Sequence, residues 1–249
     1  MSSTLDPSIP PLKPSFTPRA DPSLPPPKES APLATLISTL KLRPHVEGGY
    51  FAETDRDPYR VPNPFTSSSV ATSTAGAQQT LLDTAGGDGD VLRRGGYAAD
   101  QSGETRNAST SILYLLTPGT PQGCFHRNRG RTVHTLVKGR GTYVLLHADE
   151  VMDGEKVGGK VRVEVFRVGL DVANGERVQW VVEGGKYKAS FLLSSGDAEE
   201  EGLLVAETVV PGFEFEDHDF LTHERARELL TAEQMREVEW LVRPADAKN

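Results

Sequence analysis

The second half of this chain predicts an all-β fold, a sandwich or barrel of short strands, and three observations carry that expectation. Runs rich in β-branched and aromatic residues recur at Ser111–Leu116, Thr132–Val137, Thr142–His147, Val161–Val168, Val178–Val182, Ala189–Leu193 and Leu203–Val210. Turn-forming pairs stand between them: Pro118-Gly119, Lys138-Gly139, Asp153-Gly154, Asn174-Gly175, Gly184-Gly185, Ser195-Gly196 and Pro211-Gly212. Asn174-Gly175 between two such runs is in addition a hairpin signal, because Asn-Gly suits the primed two-residue turns.

The elements follow in chain order. Residues 1–32 are dense in proline, with few backbone donors and little to bury, and predict a disordered or extended arm. Ile9, Leu12 and Phe16 are the anchors it would use if it lay across a surface. Deleting residues 1–30 is expected to leave the barrel folded. Leu33, Leu36, Ile37 and Leu40 fall on one face of a short amphipathic helix, and the segment from Arg43 to Thr54 turns into a strand. Residues 62–108, rich in Ser, Thr, Gly and Asp, predict an inserted loop with disordered parts, able to act as a flap over a pocket. The strands occupy the rest of a domain from 33 to 220. Residues 221–249 form a C-terminal helical extension in which Thr231 and Gln234 predict a capping box and Trp240 an anchor to the barrel.

Bulk properties exclude several classes. The 249 residues hold 37% hydrophobic and 25% charged residues, enough for one good core. A net charge of −8 disfavours nucleic acid as a partner. No apolar run reaches membrane-spanning length, so no membrane partner is expected. The first residues lack the apolar stretch of a secretory signal, and a lone cysteine, Cys124, allows no internal disulfide. A cytoplasmic location is therefore expected.

Four blocks carry a resemblance. They are His45-Val46-Glu47-Gly48-Gly49-Tyr50-Phe51 with Glu53-Thr54 and Arg56; Thr110 to Leu116; Phe125-His126-Arg127 with Gly139; and Val209-Val210-Pro211-Gly212-Phe213-Glu214-Phe215-Glu216-Asp217. Together they resemble a cupin subfamily whose members are mostly of unknown function. The resemblance implies a single jelly-roll β-barrel, similar to that of bacterial sugar-nucleotide epimerases, with a small-molecule ligand in the cavity and a homodimeric state. The chain departs from the family pattern at Arg131-Thr132-Val133-His134-Thr135, where an acidic residue is lost. It departs again at Gly185-Lys186-Tyr187-Lys188.

These departures bear on metal binding. Metal-holding cupins place a His, a second His two residues on, a carboxylate about four residues later and a third His on a later strand. Here those places hold His126, Asn128, Thr132 and Lys188, and an ammonium opposes a bound cation. No metal and no other cofactor are expected; a rebuilt site would need His134 or Glu207 as replacement ligands.

For acid–base work, His126 is the best base, with His134 and Tyr114 as possible partners. Lys188 would stabilise an enolate or bind an acidic group, and Glu207 would fix Lys188 or His126. Glu53, Asn128, Thr132, Tyr187 and Arg127 are the candidates for ligand contact. The competing reading takes the same residues as mutually hydrogen-bonded groups of a wet barrel mouth.

The remaining polar residues are assigned structural places. Glu47 is expected to cap a glycine turn, and the Phe213–Asp217 block to form a half-buried strand. His45, His147, His218 and His223 are read as surface or loop residues, and Cys124 as a small buried one. Two functions stay open: a metal-independent isomerase, epimerase or cyclase, and a non-catalytic binding protein for a sugar-like or acidic metabolite. A metal-dependent oxygenase is third.

Overall fold

A computed structural model describes residues 2–20, 24–65, 103–150, 160–194, 196 and 201–245. Helix α1, Ala31–Thr39, precedes the strands and ends where Lys41 turns left-handed. The strands are β1 Arg43–Pro44, β2 Tyr50–Arg56, β3 Arg60–Pro62, β4 Thr105–Asn107, β5 Thr110–Leu116, β6 Gln122–Asn128 and β7 Arg131–Lys138. They continue with β8 Gly141–Leu146, β9 Val163–Val168, β10 Gln179–Val182, β11 Tyr187–Leu192, β12 Leu203–Val210 and β13 His218–Phe220. Helices α2, His223–Leu229, and α3, Ala232–Val238, close the described chain with a short 3-10 turn at Glu239–Leu241.

Two sheets face each other. One runs β1-β2-β5-β12-β7-β10 and the other β13-β6-β11-β8-β9. Side-chain alternation divides every strand between an interior and an outer layer. Tyr114, Leu116, Tyr143, Leu145, Trp180, Leu192, Leu203 and Val205 fill the interior. Phe125, Val144, Leu146, Tyr187, Ala189 and Phe191 turn outward from the five-stranded sheet and are covered by α2 and α3. Leu113, Leu115 and Leu204 turn outward from the other sheet and meet Leu36, Ile37 and Leu40 of α1. The expected amphipathic face of α1 thus covers a sheet. This mostly antiparallel, two-sheet arrangement is a jelly roll.

Several expectations are corrected. Asn174-Gly175 does not close a hairpin, because β9 and β10 lie in different sheets; Val172–Asn174 makes a 3-10 turn and Gly175 takes positive φ on the way across. The Phe213–Asp217 block is not a strand: Phe215–Asp217 winds into a 3-10 turn, buries Asp217 against Arg106 and only then enters β13. Strands β6 and β7 pair with β11 and β13 and with β10 and β12 respectively, so their connection is a corner between sheets.

The described part of the arm lies against the domain. Ser3 Oγ, Thr4 N, Thr4 Oγ1 and Leu12 N all donate to the Glu237 carboxylate of α3. Leu5 is buried, and Leu12 and Phe16 pack on apolar clusters. Strands β3 and β4 pair at the base of the 62–108 insertion, and the expected flap lies outside the described residues. The capping box at Thr231 and Gln234 forms, and Trp240 meets Phe191 edge to face at 5.1 Å. Among the described residues no helix is long and apolar enough to cross a membrane.

Candidate functional site

Among the described residues, the barrel interior holds two polar groups. The deeper one joins the facing sheets. His134 on β7 and Glu207 on β12 are register partners, and Lys188 reaches them from β11. The Lys188 ammonium donates to Glu207 Oε2 at 2.7 Å and to His134 Nε2 at 2.8 Å. Burial alone would raise the Glu207 carboxyl, but the neighbouring Lys188 and His134 outweigh it and hold the group well below the usual carboxylate range. Burial, reinforced by Lys188, keeps His134 neutral. His134 is 0% exposed and stacks on Trp180 with centroids 5.2 Å apart. This triad is closed on itself.

The second group lies toward a more open end. Glu47 occupies the turn between β1 and β2, followed by Gly48 at φ +104° and Gly49 at φ +71°. A Cβ on Gly48 would sit 2.2 Å from the Gln122 carbonyl oxygen, so both the dihedral and the close approach demand glycine. The Tyr114 hydroxyl donates to Gly48 O at 2.9 Å, and Cys124 N donates to Glu47 O at 2.7 Å. Pinned in this way, the Glu47 side chain enters the barrel. His218 Nε2 lies 2.9 Å from its Oε1, His126 Nε2 3.3 Å from the same oxygen, and His45 Nδ1 3.5 Å from Oε2. The rings of His126 and His218 stack with centroids 5.2 Å apart. A bulge between Gly123 and His126 on β6 breaks the register with β11 and sets the phase in which His126 points inward. Side-chain exposure runs from 4% at His218 to 15% at His45 here, against 0% at His134 and 9% at Glu207, so this is the end of the barrel interior slightly nearer the surface.

The protonation states follow from contacts. His126 Nδ1 lies 2.9 Å from the Cys124 carbonyl, which places the proton on Nδ1 and leaves Nε2 bare. Burial, with Lys188 and His218 reinforcing it against Glu47, pushes His126 down to about 3, so the ring is neutral. For Glu47, burial is outweighed by the imidazoles of His126, His45 and His218, and its carboxyl is held below the usual range. Among the described residues its side-chain partners are these three histidines.

The site residues expected from the sequence are thus divided. His126, His134, Lys188 and Glu207 all point inward, and His134, Lys188 and Glu207 touch. Tyr114 is buried and spends its hydroxyl on the Gly48 turn; burial raises it well above the usual tyrosine range, so it is a lock on Glu47 rather than an acid. Thr132 is buried at the start of β7. Asn128, with a buried Oδ1 that accepts no hydrogen bond, ends β6 beside its register partner His218. Arg127 and Tyr187 lie on the opposite face of their strands from His126 and Lys188. Arg127 forks onto Asp219 and stacks over the Tyr187 ring at 4.8 Å. Glu53 is taken up by Arg56, which also pairs with Glu214.

Two corrections concern residues read as structural. His218 is not a surface residue, since its side chain is 4% exposed, and Glu47 is more than a turn cap. Spacing along the chain cannot reveal His218, because its neighbour His126 is reached only through the β13–β6 pairing. For Glu47 the signal was present in Gly48-Gly49, a pair that forces a tight approach of backbone to barrel.

Comparison with known proteins agrees with this architecture. The family described as Cupin superfamily (DUF985) matches residues 34–221. An uncharacterized protein of Saccharomyces cerevisiae is 40% identical over 201 residues, 81% of each chain. A hypothetical protein from Leishmania major shares the fold at a TM-score of 0.57 and 22% identity, over 85% of this chain and 98% of that one. A Shewanella oneidensis protein does so at 0.56 and 22%, over 87% and 99%. With the blocks, the jelly roll and the family match in agreement, the chain belongs to the cupin superfamily, in its DUF985 family.

Proposed function

We propose that the protein acts on a small molecule at the open end of the barrel by moving a carbon-bound proton, in the manner of an isomerase or epimerase. The observation that carries this reading is the convergence of Glu47, His126 and His218 on one point, with His45 beside them at the mouth. His126 is neutral and its bare Nε2 is the base; Glu47, 3.3 Å away, stabilises the imidazolium as it forms. Lys188, register partner of His126, stands behind it and is held there by Glu207 and His134.

The ligand positions usual in metal cupins do not suit a cation in this chain. Asn128 and Thr132 are neutral, and Lys188 puts an ammonium where an imidazole would stand. His134 and Glu207, the replacements the sequence offered, are both held by Lys188. Of those positions this reading uses only His126, as the base.

The test is hydrogen exchange. Keto sugars, sugar nucleotides and hydroxy acids are incubated with the protein in heavy water and followed by proton NMR. One of them should lose a carbon-bound hydrogen signal with wild type and keep it with folded His126→Ala. Exchange that persists in His126→Ala overturns the role of His126. A compound that raises the melting temperature without any exchange supports the second reading, a binding protein, which is favoured by the closure of the Lys188–Glu207–His134 triad.

A further inference from the structure

We infer that Glu47, His126 and His218 form a binding site for a single divalent first-row transition ion, in which only His126 stands at a position that metal cupins normally use. The inference rests on reading this cluster as the reacting end of the barrel, but not on proton transfer as the reaction.

Geometry comes first. The candidate donor atoms, one carboxylate oxygen and two imidazole nitrogens, all lie within 4.8 Å of one another. Two of the separations are 2.9 and 3.3 Å. Ligands about 2.0–2.2 Å from a shared ion stand roughly 3–3.5 Å apart, so small side-chain adjustments bring the set into coordination. Two imidazoles and one carboxylate suit zinc, cobalt or ferrous iron, and three protein ligands leave positions open toward the mouth.

The hydrogen-bond pattern makes the same case independently. With its proton on Nδ1, His126 aims a bare nitrogen at a carboxylate oxygen, an acceptor facing an acceptor. A cation between them turns that repulsion into two bonds. The bond from His126 to the Cys124 carbonyl is the outer-shell support that metal-bound histidines ordinarily have. His218 Nδ1 is buried without a hydrogen-bond partner, so it can carry the ring proton when Nε2 gives its lone pair to an ion.

Topology explains how the site would be recovered. The position that usually supplies the second histidine holds Asn128, and its cross-strand register partner on β13 is His218. The carboxylate missing at Thr132 is replaced by Glu47, which the Gly48-Gly49 turn inserts from the other side. Lys188 does not block the ion, because its charge is met by Glu207 at 2.7 Å.

The test uses Co²⁺ as the probe on the full-length protein after chelator treatment. Wild type should take up one Co²⁺ per chain and show the visible ligand-field absorption of a nitrogen and oxygen site. Glu47→Gln and His218→Phe should each weaken uptake by more than the 10–100-fold that loss of an outer-shell partner typically costs, about 100-fold or more. His223→Ala, on α2, should leave it unchanged. Folded wild type that takes up no Co²⁺, or uptake unaffected by both variants, overturns the site. Should the variants not fold, nitrogen NMR of wild type with Zn²⁺ decides: joint shifts of the His126 and His218 Nε2 signals support the site, and unmoved signals overturn it. Absent uptake with hydrogen exchange intact removes this inference and leaves proton transfer standing; uptake without exchange or ligand binding does the reverse.

Discussion

Lys188 is the residue on which the interior charge balance turns. Its ammonium is buried between Glu207 and His134, and removing it strands a carboxylate in a low-dielectric interior. Breaking a buried pair from one side costs about 3–5 kcal/mol, whereas replacing both partners with neutral groups is far milder. Lys188→Met should therefore lower unfolding stability in urea by about that amount, and Lys188→Met with Glu207→Gln should recover about half or more. A harmless Lys188→Met would show that the pair is not made. The sequence made Lys188, Glu207, His126 and His134 legible as inward residues, because alternation along a strand fixes a side chain's face once one residue is placed. It misassigned Glu53 and Arg127, whose charges find closer partners in Arg56 and Asp219. Composition does not disclose which opposite charge a folded chain brings nearest.

Among the elements, the arm departs furthest from expectation. Its prolines forgo backbone donors, yet the remaining donors of Ser3, Thr4 and Leu12 converge on one acceptor, Glu237. Burial opposes the charge on Glu237, but the hydrogen bonds from the arm outweigh it and lower the group below the ordinary glutamate value. A carboxyl depressed on folding contributes stability in full above its unfolded value, and that contribution is lost as pH falls through the folded value. The arm should thus stay seated near neutrality and loosen in acid. Glu237→Gln should speed hydrogen exchange at the Thr4 and Leu12 amides by about tenfold at neutral pH, an effect discounted for the partly exposed position. Unchanged exchange would show that the arm is held elsewhere. No sequence pattern announced this seat, because its acceptor lies more than 220 residues away from its donors. Helices α1 and α3 were legible, by contrast, because their apolar spacing and the capping box are local.

At the scale of the molecule, the jelly roll was legible from short strands and glycine turns, while the assignment of strands to sheets was not. The β6–β7 and β9–β10 connections cross between sheets, the second where Asn174-Gly175 suggested a hairpin. That crossing matters for function, since it sets His126 on one sheet and His134 on the other with Lys188 spanning the gap. It also lets β13 return from the far end of the chain to place His218 beside His126. The cluster at the mouth is therefore a product of three separate chain segments, and its central claim is that Glu47, His126 and His218 act as one unit. The most direct test is imidazole nitrogen NMR of the metal-free protein at about pH 5, below the ordinary histidine range. His126 should be neutral with its proton on Nδ1, in keeping with its depression to about 3, and Glu47→Gln should shift the signals of both His126 and His218. A charged His126 at that pH, or a folded Glu47→Gln variant that leaves both rings unmoved, would contradict it.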